Sequence, residues 1–346
     1  MSFPIILRRA CTHSTFFKTS ISLGIVQASF PFLTRSMATV KDSIPHMIRT
    51  AEDPRQQGVW TARLGKIEQV NSKIRLIRLN LPRDGPPLRH MPGQYIDLYI
   101  PNVDVVGGFT ITSPPQSASS QQHHQADPHI ELAIQDSPTN PPAAYLWRPV
   151  PEILDSTVTF RVGGNFAYPP LTLDRDQCAN IDRVVFVAGG VGINPIMSMI
   201  SAMDEMGTRS KLGGMVKTVR VLYTARREHS QGGGDRAKKE EVLFEKRLND
   251  VARKWSSHQQ VDYQYTFFET SGSGGPDAQE TVAENITHRY RRINHDDLFQ
   301  ALGPEDTRHN AVVYVCGLPT MTDEFVELLK KAKCMDEKRV LCEKWW

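Results

Sequence analysis

Arg183-Val-Val-Phe-Val-Ala-Gly-Gly-Val-Gly-Ile-Asn-Pro195 is the stretch whose reading decides the fold. Its first six residues are an unbroken apolar run after Arg183, the mark of a strand buried on both faces. The run leads straight into a glycine loop, and Ile196, Met199, Ile200 and Met203 then recur at helical spacing up to a predicted stop at Gly207. Strand, glycine loop and helix in that order suit a dinucleotide pyrophosphate. Its oxygens need backbone N–H groups brought close, so side chains must be absent at Gly190 and Gly192. The helix start adds free donors and the positive end of its dipole. Asn194 is predicted to cap that helix and Pro195 to sit in its first turn. Gly189, Gly190, Val191, Gly192, Ile193, Asn194 and Pro195 are therefore the candidate phosphate loop. The third glycine of the usual G-x-G-x-x-G fingerprint is absent, with Pro195 in its place, and a turn without ligand is the plainer reading.

Downstream, strands and helices alternate. Val219–Tyr223, Tyr263–Phe268 and Ala311–Val315 read as strands. Lys238–Trp255 and Pro319–Ala332 read as helices, the latter with Met321, Phe325, Leu328, Leu329 and Ala332 on one side. Alternation of this kind predicts a parallel α/β sheet. Stretches 229–236 and 271–277 read as glycine-rich loops. The acidic residue that would bind a ribose 2′-hydroxyl after the second strand is missing. Thr224-Ala-Arg226-Arg227 stands there. The two arginines either accept a 2′-phosphate or are solvated loop charges, so NADH and NADPH both stay open.

Upstream, the pattern is short and strand-like from Trp60 to about Val162. Lys73–Asn80, Gln94–Ile100, His129–Ile134 and Thr157–Val162 alternate or run apolar over strand lengths, and only Pro142–Trp147 suggests a short helix. The expectation is an antiparallel β-barrel followed by an α/β parallel-sheet nucleotide-binding domain. The first covers residues 55–172, the second 180–346, with the boundary near 168–181. Pro115–Pro128, rich in Gln, Ser and His, reads as a solvated loop; His123-His124 has no ligand-spaced Cys or acid, so no metal site is expected.

The chain has 346 residues and a formal charge of +3. That length allows about two domains of roughly 100–200 residues each. The charge is uneven: residues 1–36 hold Arg8, Arg9, Lys18 and Arg35 and no acid. An acid-poor, Arg- and Ser-containing start has the composition of a mitochondrial transit peptide, which predicts a matrix protein. A secretory signal is the rival, because 21–33 is mostly apolar, though Gln27 and Pro31 interrupt it. The remaining body is near neutral, which argues against a nucleic-acid surface. Five scattered cysteines, Cys11 among them, form no CxxC pair. No apolar run reaches the roughly 18 residues of a membrane span. No Ser-His-Asp arrangement or HExxH motif supports a hydrolase.

Four motifs in order carry a resemblance. Pro92-Gly93-Gln94-Tyr95 is similar to a PGQ[FY] strand start, and Gly189–Pro195 to a nicotinamide phosphate loop. Cys316-Gly-Leu-Pro-Thr-Met321 is similar to CGPxxM, and the chain ends on an aromatic, Trp346. Together they resemble the ferredoxin–NADP⁺ reductase superfamily. Gly107–Ser113, Ala188–Pro195 and Glu343–Trp346 resemble its oxidoreductase NAD-binding domain-containing family. The resemblance implies NAD(P)H and FAD as cofactors and hydride transfer between nicotinamide and flavin. It implies flavin contacts from Tyr95, Phe109 and Thr110, with Thr110 near the reactive nitrogen. Cys316 would pack against nicotinamide with Gly317 beside it, and Trp346 would stack on the flavin. The plain readings are a strand filler at Thr110, a small buried hydrophobe at Cys316 and packing anchors at Trp345 and Trp346. Two positions depart from the pattern. Gly107 replaces an arginine that would pair with the flavin pyrophosphate. Residues Asn140–Ala144 lack the second phosphate motif, GxxS. A reductase passing electrons to an unknown acceptor, with a protein acceptor as one option, and a non-catalytic NAD(H)-binding module with a decayed flavin site are both left open.

Overall fold

The computed structural model describes residues 44–119, 127–206, 216–228, 239–258, 261–270, 281–283 and 285–345. The predicted leader with Cys11, the His123-His124 pair, Gly207, the two glycine-rich loops and Trp346 lie outside these residues.

A four-residue helix, α1 (His46–Arg49), precedes the first sheet. Alternating sequence then builds β1 (Trp60–Asn71), β2 (Ile74–Asn80), β3 (Tyr95–Tyr99), β4 (Gly107–Thr110), β5 (His129–Gln135) and β6 (Thr157–Gly163). They form one antiparallel sheet in the order β4-β3-β6-β1-β2-β5. An antiparallel bridge between Ile111 and Leu132 brings the two edges together on one side. The sheet is thus curled towards a barrel, which reduces the exposed strand edge. Leu64, Ile77, Leu79, Ile96, Leu98, Phe160 and Val162 fill its interior. α2 (Pro141–Leu146) and α3 (Val150–Ile153) lie between β5 and β6. Pro115–Ala118, read from sequence as open loop, is a short 3₁₀ turn with Ala118 buried.

After α4 (Arg175–Ala179) comes β7 (Arg183–Gly189), then α5 (Ile193–Met206), β8 (Thr218–Ala225), α6 (Glu245–His258) and β9 (Asp262–Glu269). β10 (Thr281–Ala283), β11 (Ile286–Arg289), α7 (His295–Leu302), β12 (Ala311–Cys316), α8 (Pro319–Lys330) and β13 (Val340–Glu343) complete it. The second sheet has the order β10-β11-β9-β8-β7-β12-β13. All its pairs are parallel except β10 with β11. Burial on both faces explains the apolar runs. Val184, Phe186 and Ala188 of β7 join one core, with Ile196, Met199 and Leu248 from α5 and α6. Val185 and Val187 join the opposite core, with Leu298, Phe325 and Leu329 from α7 and α8.

The helix expected over Lys238–Trp255 begins only at Glu245. Val242, Leu243 and Phe244 are buried ahead of it, and Phe244 takes a φ of 61° that breaks helical continuity. The two sheets share buried contacts. Ala133, Phe166 and Tyr168 pack in the same core as β7 and β12. Tyr314 Oη donates to the Ala167 carbonyl at 2.9 Å, and Arg247 pairs with Glu131 at 2.6 Å.

Candidate functional site

β7 is followed by β8 and β9 on one side and by β12 and β13 on the other. Sheets of this kind bind ligands at the strand ends where the order reverses. A cavity of ≈ 1020 Å³ opens at that point, at the upper end of ligand-pocket sizes (roughly 300–1,000 Å³). Gly189, Gly190, Val191, Gly192, Arg226, Cys316 and Gly317 line it, which brings together much of the site expected from sequence.

The two loop glycines serve different ends. Gly190 has φ +55°, a conformation that favours glycine, and a Cβ there would meet nothing within 4 Å. Its missing side chain leaves open space beside the 3₁₀ turn Gly190–Gly192 that leads into α5. The Ile193 N–H is already bonded to the Gly190 carbonyl, so the helical run's unpaired N–H groups are those of the turn itself. That space and those donors fit a pyrophosphate. At Gly192 a Cβ would collide with the Cys316 carbonyl oxygen. Gly192 therefore also lets the loop close against the end of β12. Asn194 lies inside α5 and does not cap it. Its Nδ2 donates instead to the Ala133 carbonyl at 3.1 Å, tying the phosphate loop to the first sheet. Ile193, Asn194 and Pro195 are buried behind the loop and do not line the cavity.

Cys316 ends β12 and is buried, and burial pushes its thiol well above the usual range. It stays protonated, a compact wall rather than a nucleophile. Beside it in register lies Glu343 of β13. Burial pushes the Glu343 carboxyl up to about 8, although Trp345 Nε1 donates to its Oε2 at 2.9 Å. Burial thus favours the neutral form of this carboxyl one strand away from Cys316. Trp345 forms part of the cavity wall. Sequence reading missed Glu343 because its neighbourhood was read for aromatics alone. It also missed His295 and Glu324, which line the cavity and approach to 2.9 Å.

The two arginines after β8 separate. Arg227 is locked by Glu245 at 2.6 Å and Glu269 at 3.1 Å. Arg226 lines the cavity with 73% of its side chain exposed, so it is the one placed to meet a ligand.

The residues expected to touch flavin lie apart from this cavity. Tyr95 and Thr110 face each other across β3 and β4 and are buried at 1% and 6% exposure. Phe109 packs against the core of the first sheet. Residues 44–55 of the chain cover this face. The His46 ring sits where a Cβ of Gly108 would be, edge-on to Tyr95 at 5.1 Å and parallel within 19° to Trp345 at 6.1 Å. Tyr95 Oη donates to Asp53 at 2.9 Å. Gly107 has no room for an arginine, since a Cβ would strike Phe109 and approach Pro142 within 2.8 Å. α2 opens with Pro141 and Pro142, which carry no N–H, and Ala143 N–H already donates to Asn140 Oδ1. In this conformation residues 44–55 cover Tyr95 and Thr110, and neither Gly107 nor the start of α2 supplies a phosphate donor.

An antiparallel sheet curled on itself, followed by a parallel sheet with a glycine loop at its switch point, is the fold of the ferredoxin–NADP⁺ reductase-like oxidoreductases. Flavohemoglobin from Malassezia yamatoensis, solved with FAD and heme, matches at TM-score 0.57 and 15% identity over 86% of this chain. The chain spans 63% of that protein's length. A ferredoxin–NADP⁺ reductase from Neisseria gonorrhoeae with bound FAD and NADP matches at TM-score 0.53 and 13% identity, over 84% of this chain and 100% of its own. No protein-family model matches. Among curated relatives, oxidoreductase NAD-binding domain-containing protein 1 of Bos taurus is 30% identical over 341 residues, 97% of this chain and 95% of its own. The chain belongs to that family.

Proposed function

We propose that the chain is an NAD(P)H-dependent oxidoreductase that binds the dinucleotide in the cavity at the end of β7. The observation that carries this is the open space before Gly190 at the start of α5, with Cys316 facing it across the switch point. Bound NAD(P)H would supply hydride. The chain's own part is alignment: Gly190 and the free N–H groups of the Gly190–Gly192 turn hold the pyrophosphate, Cys316 and Gly317 form a close wall, and Arg226 meets the adenosine end.

FAD is the proposed second cofactor, at Tyr95, Phe109 and Thr110. Its support is the order of the two domains and the FAD in solved neighbours of this fold. Among the described residues no cluster of His, Cys, Asp or Glu is arranged to hold a metal. The electron acceptor is accordingly proposed to be a separate molecule or partner protein. The acid-poor leader supports import into mitochondria, which a fluorescent fusion of the full chain tests: exclusion from the organelle would overturn it. No helix among the described residues is long and apolar enough to cross a membrane.

Calorimetric titration of the full chain with NADH and NADPH tests the dinucleotide site; no heat with either would sink it. A visible spectrum after adding FAD, bleached by NADH or NADPH, supports the reductase. Dinucleotide binding without flavin retention supports the second reading, a binding module, which the covering of Tyr95 by residues 44–55 favours.

A further inference from the structure

Residues 44–55 have no counterpart in the predicted elements, yet they lie on the face proposed for flavin. Their hold is specific. Asp97 of β3 is fully buried, and its two oxygens take His46 Nε2 at 2.8 Å, Arg55 Nε at 2.8 Å and Arg161 Nη2 at 2.9 Å. Burial alone raises this carboxyl, but the three donors outweigh burial and hold it well below the usual range. Arg49 donates from Nη1 to the Trp345 carbonyl at 3.1 Å and lies 5.5 Å from the indole ring.

The two ends of the segment are held differently. Gln56 N–H donates to the Val162 carbonyl and Gly164 N–H to the Pro54 carbonyl, so residues 54–56 are stitched to the end of β6 by backbone. Residues 46–50 are held by the side chains of His46, Arg49 and Thr50, and Ile44 just before them and Ile48 among them are exposed at 52% and 67%. His46 Nδ1 is buried without a hydrogen-bond partner, which makes this a costly way to fill the slot. A firm anchor at 54–56 and a side-chain latch at 46–50 make a hinged strap.

We propose that residues 44–53 are a self-cover of the flavin face, with His46 occupying the ring slot between Gly108, Tyr95 and Trp345. A flavin gains Tyr95 and Thr110 only when this strap swings off about residues 54–56. The inference rests on the reading of that face as the flavin site. Because Trp345 is also a wall of the dinucleotide cavity, release of the strap reaches both cofactors' ground.

The test is FAD titration of the full chain and of His46→Ala and Arg49→Ala, followed by quenching of flavin fluorescence. Amide hydrogen exchange over residues 44–53 is measured with and without FAD, and circular dichroism checks that each variant folds. The expected result is weak FAD binding by the natural chain, at least tenfold tighter binding by either variant, and loss of amide protection when FAD binds. FAD binding that is equal in all three, with protection unchanged, overturns the strap and leaves the flavin reading standing. Absence of FAD binding even in a variant whose 44–53 amides exchange freely overturns the flavin reading, and the strap's role with it. Retained NADH binding in that last case separates the failure from a misfolded protein.

Discussion

Gly190 and Gly108 are both positions where a missing side chain makes room for a ring or a phosphate. At Gly190 nothing fills the room, and a cavity opens before it. At Gly108 the chain fills the room with its own His46. The same residue type thus marks an available site in one sheet and a self-occupied one in the other. What differs is not the glycine but the neighbourhood: free turn donors and an open strand end in the first case, a buried carboxylate that recruits a distant segment in the second.

The largest effect tests the self-occupied side. Asp97→Asn leaves three donors around a weaker acceptor, and breaking a buried ion network costs about 3–5 kcal/mol. Urea unfolding should show this loss, and a change under 1 kcal/mol would mean that Asp97 does not hold the segment. Next comes acid. Burial lowers the His90 imidazole, in the first sheet's half, to about 4. The folded state favours the neutral ring, so stability is whole above about 6.5, falls as pH drops towards 4, and levels below that. The loss is about 3 kcal/mol. His90→Phe should flatten this part of the stability-against-pH curve; an unchanged slope would assign it elsewhere.

A matched pair of glycine substitutions comes third. Gly192→Ala forces a Cβ onto the Cys316 backbone, which has little freedom to yield, and should cost about 2 kcal/mol and abolish NADH binding. At Gly108→Ala the nearest atoms to the new Cβ belong to the His46 ring. It should cost under about 1 kcal/mol in thermal melts and loosen the segment instead. Equal costs would erase the contrast between the two faces. Smallest is Arg226→Ala, expected to shift the ratio of NADPH to NADH dissociation constants up to about tenfold without moving the melting temperature. An unchanged ratio would return Arg226 to the role of a solvated loop charge.

The sequence made the sheet-forming runs legible because burial on both faces leaves an unmistakable apolar signature at β7 and β12, and alternation marks β2 and β6. It concealed β13 and β11, four-residue strands too short to show a period. The start of α6 was misplaced because Val242–Phe244 carry helix-compatible spacing yet are fixed by tertiary burial. In the candidate site, the loop glycines and Cys316 were legible from local order. The role of Asn194 was not, since an asparagine beside a helix start suits a cap locally and only the fold brings Ala133 to it. Residues 44–55 were invisible because a segment held by ion pairs over 40 to 60 positions has no periodicity. The available hint was Asp97 itself, an acid in an otherwise apolar strand that must find cations.

Arg49 and Trp345 touch across 296 positions of sequence. Topologically, that contact closes the chain into a ring containing both sheets. The indole it clamps faces the dinucleotide cavity on one side and the strap on the other. With the other four tryptophans, Trp60, Trp147, Trp255 and Trp346, replaced, its emission should report both events, and attachments near either residue should be expected to disturb binding at a site neither belongs to by sequence.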